Sequence, residues 1–213
     1  MTALRITEIF YSIQGESTTS GWPTIFIRLT GCPLRCQYCD TSYAFQGGEK
    51  LTYDAIIEKI QAYHCHRICM TGGEPLAQPA CYPFLMHLAD KGYQISLETS
   101  GARDIQAVDP RVMIVMDLKT PDSLEESKNM YTNIQHLKTG DQIKIVICSQ
   151  KDYQWAKELL EKNIIPANIE ILFSPSWGQI DPKQLAEWIL ADALPVRLQV
   201  QLHKILWEDS PGR

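Results

Sequence analysis

The chain lacks any apolar run close to the roughly 20 residues that a membrane-spanning helix requires, and Met1–Thr7 contains no apolar core followed by a small-residue cleavage site. These absences point to a cytoplasmic protein with no membrane partner. An excess of positive charge is also missing. The 20 Lys and Arg face 25 Asp and Glu, a net charge of −5, so no general attraction to nucleic acid is expected and a small-molecule substrate is the default. No low-complexity tract, visible repeat or Gly/Ser-rich linker interrupts the chain, and residues 1–213 read as a single domain. With 45% hydrophobic and 21% charged residues, that domain can bury a substantial core, which excludes a disordered or fibrous chain. Disulfides are not expected. The seven cysteines are odd in number and three crowd into residues 32–39, which suits a metal site in a reducing compartment.

What recurs is a short β-branched or apolar run followed by a helix-like stretch. Thr24–Leu29, Arg67–Met70, Tyr93–Leu97, Val112–Leu118, Ile143–Cys148 and Ile169–Phe173 read as strands. Thr52 is an N-cap candidate for a helix over Tyr53–Tyr63, Asp181 for one over Pro182–Leu190, and Ser149 or Asp152 for one over Tyr153–Glu161. Six strands alternating with helices imply a parallel α/β sheet with right-handed crossovers, open or closed into a barrel. In such architectures ligands sit at the carboxyl ends of the strands. The unusual polar segments fall there: residues 31–41 after the first strand, Thr71-Gly72-Gly73-Glu74-Pro75 after the second, Glu98-Thr99-Ser100-Gly101 after the third, Asp117-Leu118-Lys119-Thr120 after the fourth and Ser174-Pro175-Ser176-Trp177 after the sixth.

Cys32, Cys36 and Cys39 have the spacing C-x3-C-x2-C. A cubane cluster has four irons and this loop offers three thiolates, so one iron stays open, whereas a closed zinc site or an electron-transfer cluster needs a fourth protein ligand. His64 and His66, near Cys65 and Cys69, could complete a zinc site. Gly72-Gly73-Glu74-Pro75 alone could be an ordinary strand-to-helix turn.

Taken together, the cysteine spacing and the Gly-Gly-Glu-Pro segment resemble the radical S-adenosylmethionine (SAM) superfamily over most of the chain. The resemblance implies a partial (β/α)6 TIM-like barrel and a 4Fe-4S cluster whose open iron binds SAM, with Gly73 approaching the SAM amino group through its backbone. Within that superfamily, Glu8-Ile9-Phe10, Ile13-Gln14-Gly15-Glu16, Phe26-Ile27-Arg28-Leu29, Cys39-Asp40-Thr41, Glu98-Thr99-Ser100-Gly101 and Asp117-Leu118-Lys119 resemble the 7-carboxy-7-deazaguanine synthase family. That family is a group of lyases converting 6-carboxy-5,6,7,8-tetrahydropterin to 7-carboxy-7-deazaguanine with loss of ammonia, on the way to queuosine and related deazapurines.

The likeness implies Mg2+ at Thr41, pterin contacts from Ile13, Gln14, Gly15, Glu16, Arg28 and Thr71, and SAM contacts from Asp117, Leu118, Lys119, Phe173, Ser174, Pro175 and Ser176. It also implies an external electron donor such as flavodoxin or ferredoxin, and a homodimer. Each position has a plainer reading: Thr41 as a turn cap, Arg28 as an outward strand charge, Lys119 as a solvated strand end, Ser174–Ser176 as a turn. Ser17 departs from the family's Gly, and Ile205-Leu206-Trp207 replaces a glycine-containing continuation after the Gln-x-His-Lys stretch that ends at His203-Lys204. A glycyl-radical activase, or a non-enzymatic iron-sulfur or zinc module, are the alternatives. The former does not need the Gln14–Glu16 and Arg28 pocket, and the latter has no use for SAM contacts.

Overall fold

Alternation along the strands decides the architecture. The computed structural model describes residues 3–208, 210 and 212; Met1, Thr2, Asp209, Pro211 and Arg213, at the margins of the expected domain, lie outside the described residues. The elements run β1 (Ala3–Ile13), β2 (Pro23–Leu29), β3 (Glu49–Thr52), α1 (Tyr53–Gln61), β4 (Arg67–Gly72), α2 (Cys81–Asp90), β5 (Gln94–Thr99), β6 (Met113–Asp117), β7 (Gln142–Ile147), α3 (Gln150–Glu161), β8 (Glu170–Pro175), α4 (Pro182–Ala191), β9 (Arg197–Leu198) and α5 (Leu202–Trp207). Among the described residues they form one sheet in the order β3-β1-β2-β4-β5-β6-β7-β8-β9. Every pair from β2 to β9 is parallel, while β1 is antiparallel to β2 and β3. The six expected strands are therefore present in a partial barrel, and the sheet is open between β3 and β9. Among the described residues no helix is long and apolar enough to cross a membrane.

The helical layer is thinner than the alternation predicts. The β5–β6 connection has no helix, and the β6–β7 connection has only short 3-10 turns, at Pro121–Ser123, Glu126–Lys128 and Tyr131–His136. Four Pro or Gly residues within residues 101–140 break any long helical period there. Elsewhere the caps act as the sequence suggests. Thr52 accepts from the Ala55 amide and Asp181 from the Lys183 amide. Ser149, rather than Asp152, caps α3, accepting from the Asp152 amide.

On the parallel strands one face is aliphatic. Ile25, Ile27 and Leu29 on β2, Ile68 and Met70 on β4, Ile95 and Leu97 on β5, Ile114 and Met116 on β6, and Ile143, Ile145 and Ile147 on β7 all join the core that also contains Ile56, Phe84 and Leu159 of the helices. Period-2 alternation sends the intervening residues, including Arg28, Thr71, Glu98, Asp117 and Lys144, to the other face. The core is thus sheet against helices, and the barrel interior is polar.

Asp152 joins the two layers. It is fully buried and accepts from the Thr120 hydroxyl at 2.9 Å, the Asp122 amide at 3.0 Å and the Cys148 amide at 3.0 Å. Asp152→Ala strands these donors, and chemical denaturation should show a loss of about 3 kcal/mol.

Candidate active site

The carboxyl ends of the parallel strands surround a cavity of about 580 Å³. Its walls come from separate segments: Ile13, Gln14 and Glu16 at and just beyond the end of β1; Phe26 and Arg28 from β2; Cys32, Cys36 and Cys39 from the following loop; Thr71, Gly72 and Gly73 around the end of β4; Glu98, Thr99 and Ser100 around the end of β5; Asp117 and Lys119 around the end of β6; Lys144 from β7; and Ser174–Trp177 around the end of β8. Gln201, His203, Lys204, Glu208, Ser210 and Gly212 of the C-terminal segment complete the lining.

The cysteine loop is pinned at its start by close backbone packing. Gly73 donates to Leu29 O at 3.0 Å and Glu74 to Gly31 O at 2.8 Å, and a Cβ on Gly73 would stand 2.2 Å from Gly31 O, so only glycine fits this approach. The Glu74 side chain is fully buried. It accepts from Thr99 Oγ1 at 2.9 Å, the Ser100 amide at 2.7 Å and the Leu76 amide at 2.9 Å, fastening the turn after β4 to the one after β5. Farther along, Arg35 Nη1 donates to Cys32 O at 2.8 Å, and the side-chain amides of Gln37 and Gln179 exchange bonds of 3.1 and 2.9 Å.

The three thiols are free and half-buried. Burial pushes the Cys36 thiol up to about 11, against the pull of the Lys119 ammonium; burial also raises Cys32. Ligation to iron requires the thiolate, so binding a cluster would release the protons that burial retains. Lys119 lies 5.6 Å from the Tyr38 ring, within the cysteine loop, and supplies a cation where thiolates and an iron-sulfur core would add negative charge. The residues present therefore fit a cluster. Among the described residues no three His, Cys, Asp or Glu side chains are grouped to hold one metal ion. In a cubane each thiolate binds a different iron and the sulfurs need not meet, whereas a zinc site needs ligands around one point. His64, Cys65 and His66 lie before β4, at the opposite end of that strand from Gly73.

Running from the Lys119 ammonium beside the cysteine loop, four charges form a chain. Lys144 Nζ is 2.6 Å from Glu16 Oε2 and 3.3 Å from Asp117 Oδ1, and Asp117 Oδ2 accepts from Lys119 Nζ at 2.6 Å. Glu16 Oε1 accepts from Gln201 Nε2 at 2.8 Å. Burial works to raise the Glu16 carboxyl, but Lys144 and Gln201 outweigh it and hold the group down at about 2. Burial likewise works to lower Lys144, and Asp117, Glu16 and Glu98 overcome it, holding the ammonium well above its usual range. Lys119 is only 6% exposed, so it is not a solvated strand end.

Most of the sequence-derived positions meet in this one cavity. Arg28 points to it, and Thr41 lines it with a hydroxyl that caps no helix and lies 3.7 Å from Cys39 Sγ. Three positions do not line it. Leu118 and Phe173 are buried on the aliphatic side, as alternation demands of residues beside Asp117, Lys119 and Ser174. Gly15 lies against the C-terminal segment, where a Cβ would be 2.0 Å from His203 Nδ1. Ser17 does adopt a positive φ of 66°, eased by Thr19, whose amide donates to Ser17 Oγ at 3.1 Å. Ile205 and Leu206 lie on α5 with exposed side chains. The sequence places Glu98 and Gln201 inside the Glu98–Gly101 and Gln-x-His-Lys segments without a role for either and does not single out Lys144; Glu98 and Lys144 carry the signal of a charge on the polar phase of a buried strand.

Because the folded Glu16 carboxyl sits near 2, below its ordinary 4.5, its stabilisation is fully present above that ordinary value and fades as pH falls toward the folded one. Glu16→Gln should accordingly be less stable than the parent by about 3 kcal/mol at neutral pH, with the gap closing in denaturation curves taken progressively below pH 4.5.

Residues 26–189 match the model of the radical SAM superfamily. A 7-carboxy-7-deazaguanine synthase from Chlorobaculum tepidum is 43% identical, the match covering 98% of this chain and 97% of that protein. One from Thermoplasma acidophilum is 34% identical over 97% of this chain and 99% of its own. Among solved structures, the crystal structure of QueE from Escherichia coli aligns with a TM-score of 0.75 at 23% identity, covering 95% of this chain and 96% of that one, which establishes a shared fold. With three cysteines, a glycine turn and a paired charge chain around one cavity, and with full-length matches to named relatives, the chain belongs to the radical SAM superfamily and, within it, to the 7-carboxy-7-deazaguanine synthases.

Proposed function

We propose that this chain is a lyase converting 6-carboxy-5,6,7,8-tetrahydropterin to 7-carboxy-7-deazaguanine with loss of ammonia, using a 4Fe-4S cluster and SAM. The observation that carries this reading is the meeting of the three-thiol loop and the Gly73 turn with a wall bearing an amide, a guanidinium and paired carboxylates in one cavity. Cys32, Cys36 and Cys39 would hold the cluster and leave an iron for SAM. When bound, the two would supply one-electron reductive cleavage of the SAM sulfonium, and with it the power to remove a hydrogen atom from the substrate.

The chain's own part is to bind, orient and exclude water. Arg28 offers parallel N–H donors to the pterin carboxylate, a geometry lysine lacks. Gln14 donates to Glu98 Oε1 at 3.5 Å, and the Thr71 hydroxyl to Glu98 Oε2 at 2.9 Å, so these groups present a pre-set polar edge to the rings, with Ile13 contributing shape and Gly15, off the cavity wall, setting the turn against the C-terminal segment. Glu16, held ionised by Lys144, faces the guanidine-like edge. Gly73 presents its backbone to SAM, whereas Leu118 and Phe173, which do not line the cavity, support that wall from the aliphatic core. Asp117, Lys119, Ser174, Pro175 and Ser176 add their cavity-facing atoms. The Thr41 hydroxyl would be this chain's oxygen for a Mg2+ ion, which as a hard cation would help hold a carboxylate-bearing substrate.

The reaction requires an external reductant, for which we propose a flavodoxin or ferredoxin; we further propose a homodimer and a cytoplasmic location. No observation favours the activase, and the zinc module lacks a grouped ligand set among the described residues.

Anaerobically reconstituted protein with SAM, Mg2+ and dithionite is expected to form 5′-deoxyadenosine and 7-carboxy-7-deazaguanine together, dependent on 6-carboxytetrahydropterin. SAM cleavage without the deazaguanine would move the substrate assignment elsewhere, and no cleavage by a fully loaded cluster would end the enzyme reading. Replacing Cys32, Cys36 or Cys39 by Ala should abolish both products and the cluster's visible absorbance.

A further inference from the structure

Glu8 faces Arg28 across the β1–β2 pair because of an irregularity in β1. Ile6 pairs with Leu29 and Glu8 with Arg28, so Thr7 is an extra residue between them. A bulge of this kind reverses the phase of alternation beyond it. Ile6 is in the aliphatic core, and in an unbroken strand Glu8 would point the same way. With Thr7 inserted, Glu8 and Phe10 instead share a face with Arg28 and Phe26, whose ring stacks on that of Phe10 at 4.9 Å.

On that face Glu8 Oε1 accepts from Arg28 Nε at 2.7 Å and from the Tyr43 hydroxyl at 2.8 Å. The two side chains of the ion pair are 14% and 23% exposed, so solvent screens them little. Among the described residues this is the one side-chain hydrogen bond that Arg28 makes, and it uses the single Nε–H. The terminal nitrogens remain as a planar fork for a second carboxylate. Glu8 does not line the cavity, whereas Arg28 and Tyr43 do. The Tyr43 ring is 6.0 Å from the guanidinium carbon and that of Phe10 is 5.8 Å from it, which limits rotation on two sides.

We propose that Glu8 is a positioning residue: with Tyr43 it aims the terminal nitrogens of Arg28 into the cavity, where they select a pterin bearing a 6-carboxylate over one without it. This inference rests on the substrate reading given above. Its distinct content is that the anion on β1 creates the selectivity through the cation on β2, although like-charge repulsion alone would have an acidic neighbour disfavour an acidic ligand.

The test is equilibrium binding to the reconstituted holoenzyme with SAM and without reductant, using 6-carboxypterin and unsubstituted pterin as probes. Wild type is expected to prefer 6-carboxypterin. Glu8→Ala should bind 6-carboxypterin about tenfold more weakly, the size of one charge-assisted contact, and pterin unchanged. Glu8→Gln, which keeps the size and guards against misfolding, should show a smaller loss for the same probe. On an Arg28→Ala background, Glu8→Ala should add no further loss. The proposal is overturned if Glu8→Ala binds 6-carboxypterin as well as or better than wild type, or if it weakens both probes alike, the mark of a merely structural role. If wild type holds both probes equally, the substrate reading falls first and takes the inference with it, a result separable from the variant data.

Discussion

Lys144 between Glu16 and Asp117 is the interaction on which the cavity depends. A lone ammonium or carboxylate inside a sheet is costly, and removing one partner of such a set leaves the others uncompensated. Here the four charges come from three segments: Glu16 from the loop after β1, Lys144 from β7, and Asp117 and Lys119 from the end of β6. Pairing therefore does two things at once. It allows a polar interior to exist behind an aliphatic shell, and it fixes the relative positions of three segments that are distant in the chain. Gln201 extends the same set to the C-terminal segment, so the outer wall of the cavity is oriented from its charged floor.

The division of labour around the rim follows from connection chemistry. The loops after β2, β4, β5 and β8 carry the groups that face the cavity, and several are bonded to one another before any ligand arrives: the Glu74 carboxylate ties two turns, and Gln37 and Gln179 tie two more. Sites assembled in this way owe little conformational entropy when a ligand binds. The cysteine loop, which has no regular structure before the Ser42–Phe45 turn, gets its definition from these neighbours.

Six of the seven parallel strands and the caps at Thr52 and Asp181 could be read from β-branched runs and capping residues, because these are local signals; the two-residue β9 is too short to carry one. Strand β1 was harder to read. Its alternation changes phase at Thr7, so a search for one unbroken period finds two short fragments. The β5–β6 and β6–β7 connections were expected to hold helices on the strength of alternation elsewhere, yet their Pro and Gly content favours turns. At the site, the cysteines and the Gly-Gly-Glu turn were legible because spacing alone carries their meaning. Lys144 was not, and Glu98 stood in a quoted segment without a role, since a single charged residue in an apolar strand acquires a role only when partners from other strands meet it. Leu118 and Phe173 show the reverse case: contiguous motif segments place neighbours on opposite faces of the sheet, and only every second side chain reaches the cavity.

The extra residue at Thr7 also bears on how this chain tolerates changes in length. Deleting one residue there would exchange the surroundings of Glu8, Ile9 and Phe10 in a single step, driving a carboxylate into the aliphatic core and exposing an isoleucine to the polar interior. The linker at residues 162–168, by contrast, lies between α3 and β8 on the side away from the cavity and consists largely of exposed or half-exposed residues. Insertions and deletions among descendants of this sequence are thus expected to accumulate in that linker while the residue count of β1 stays constant, so that strand length itself becomes an inherited trait.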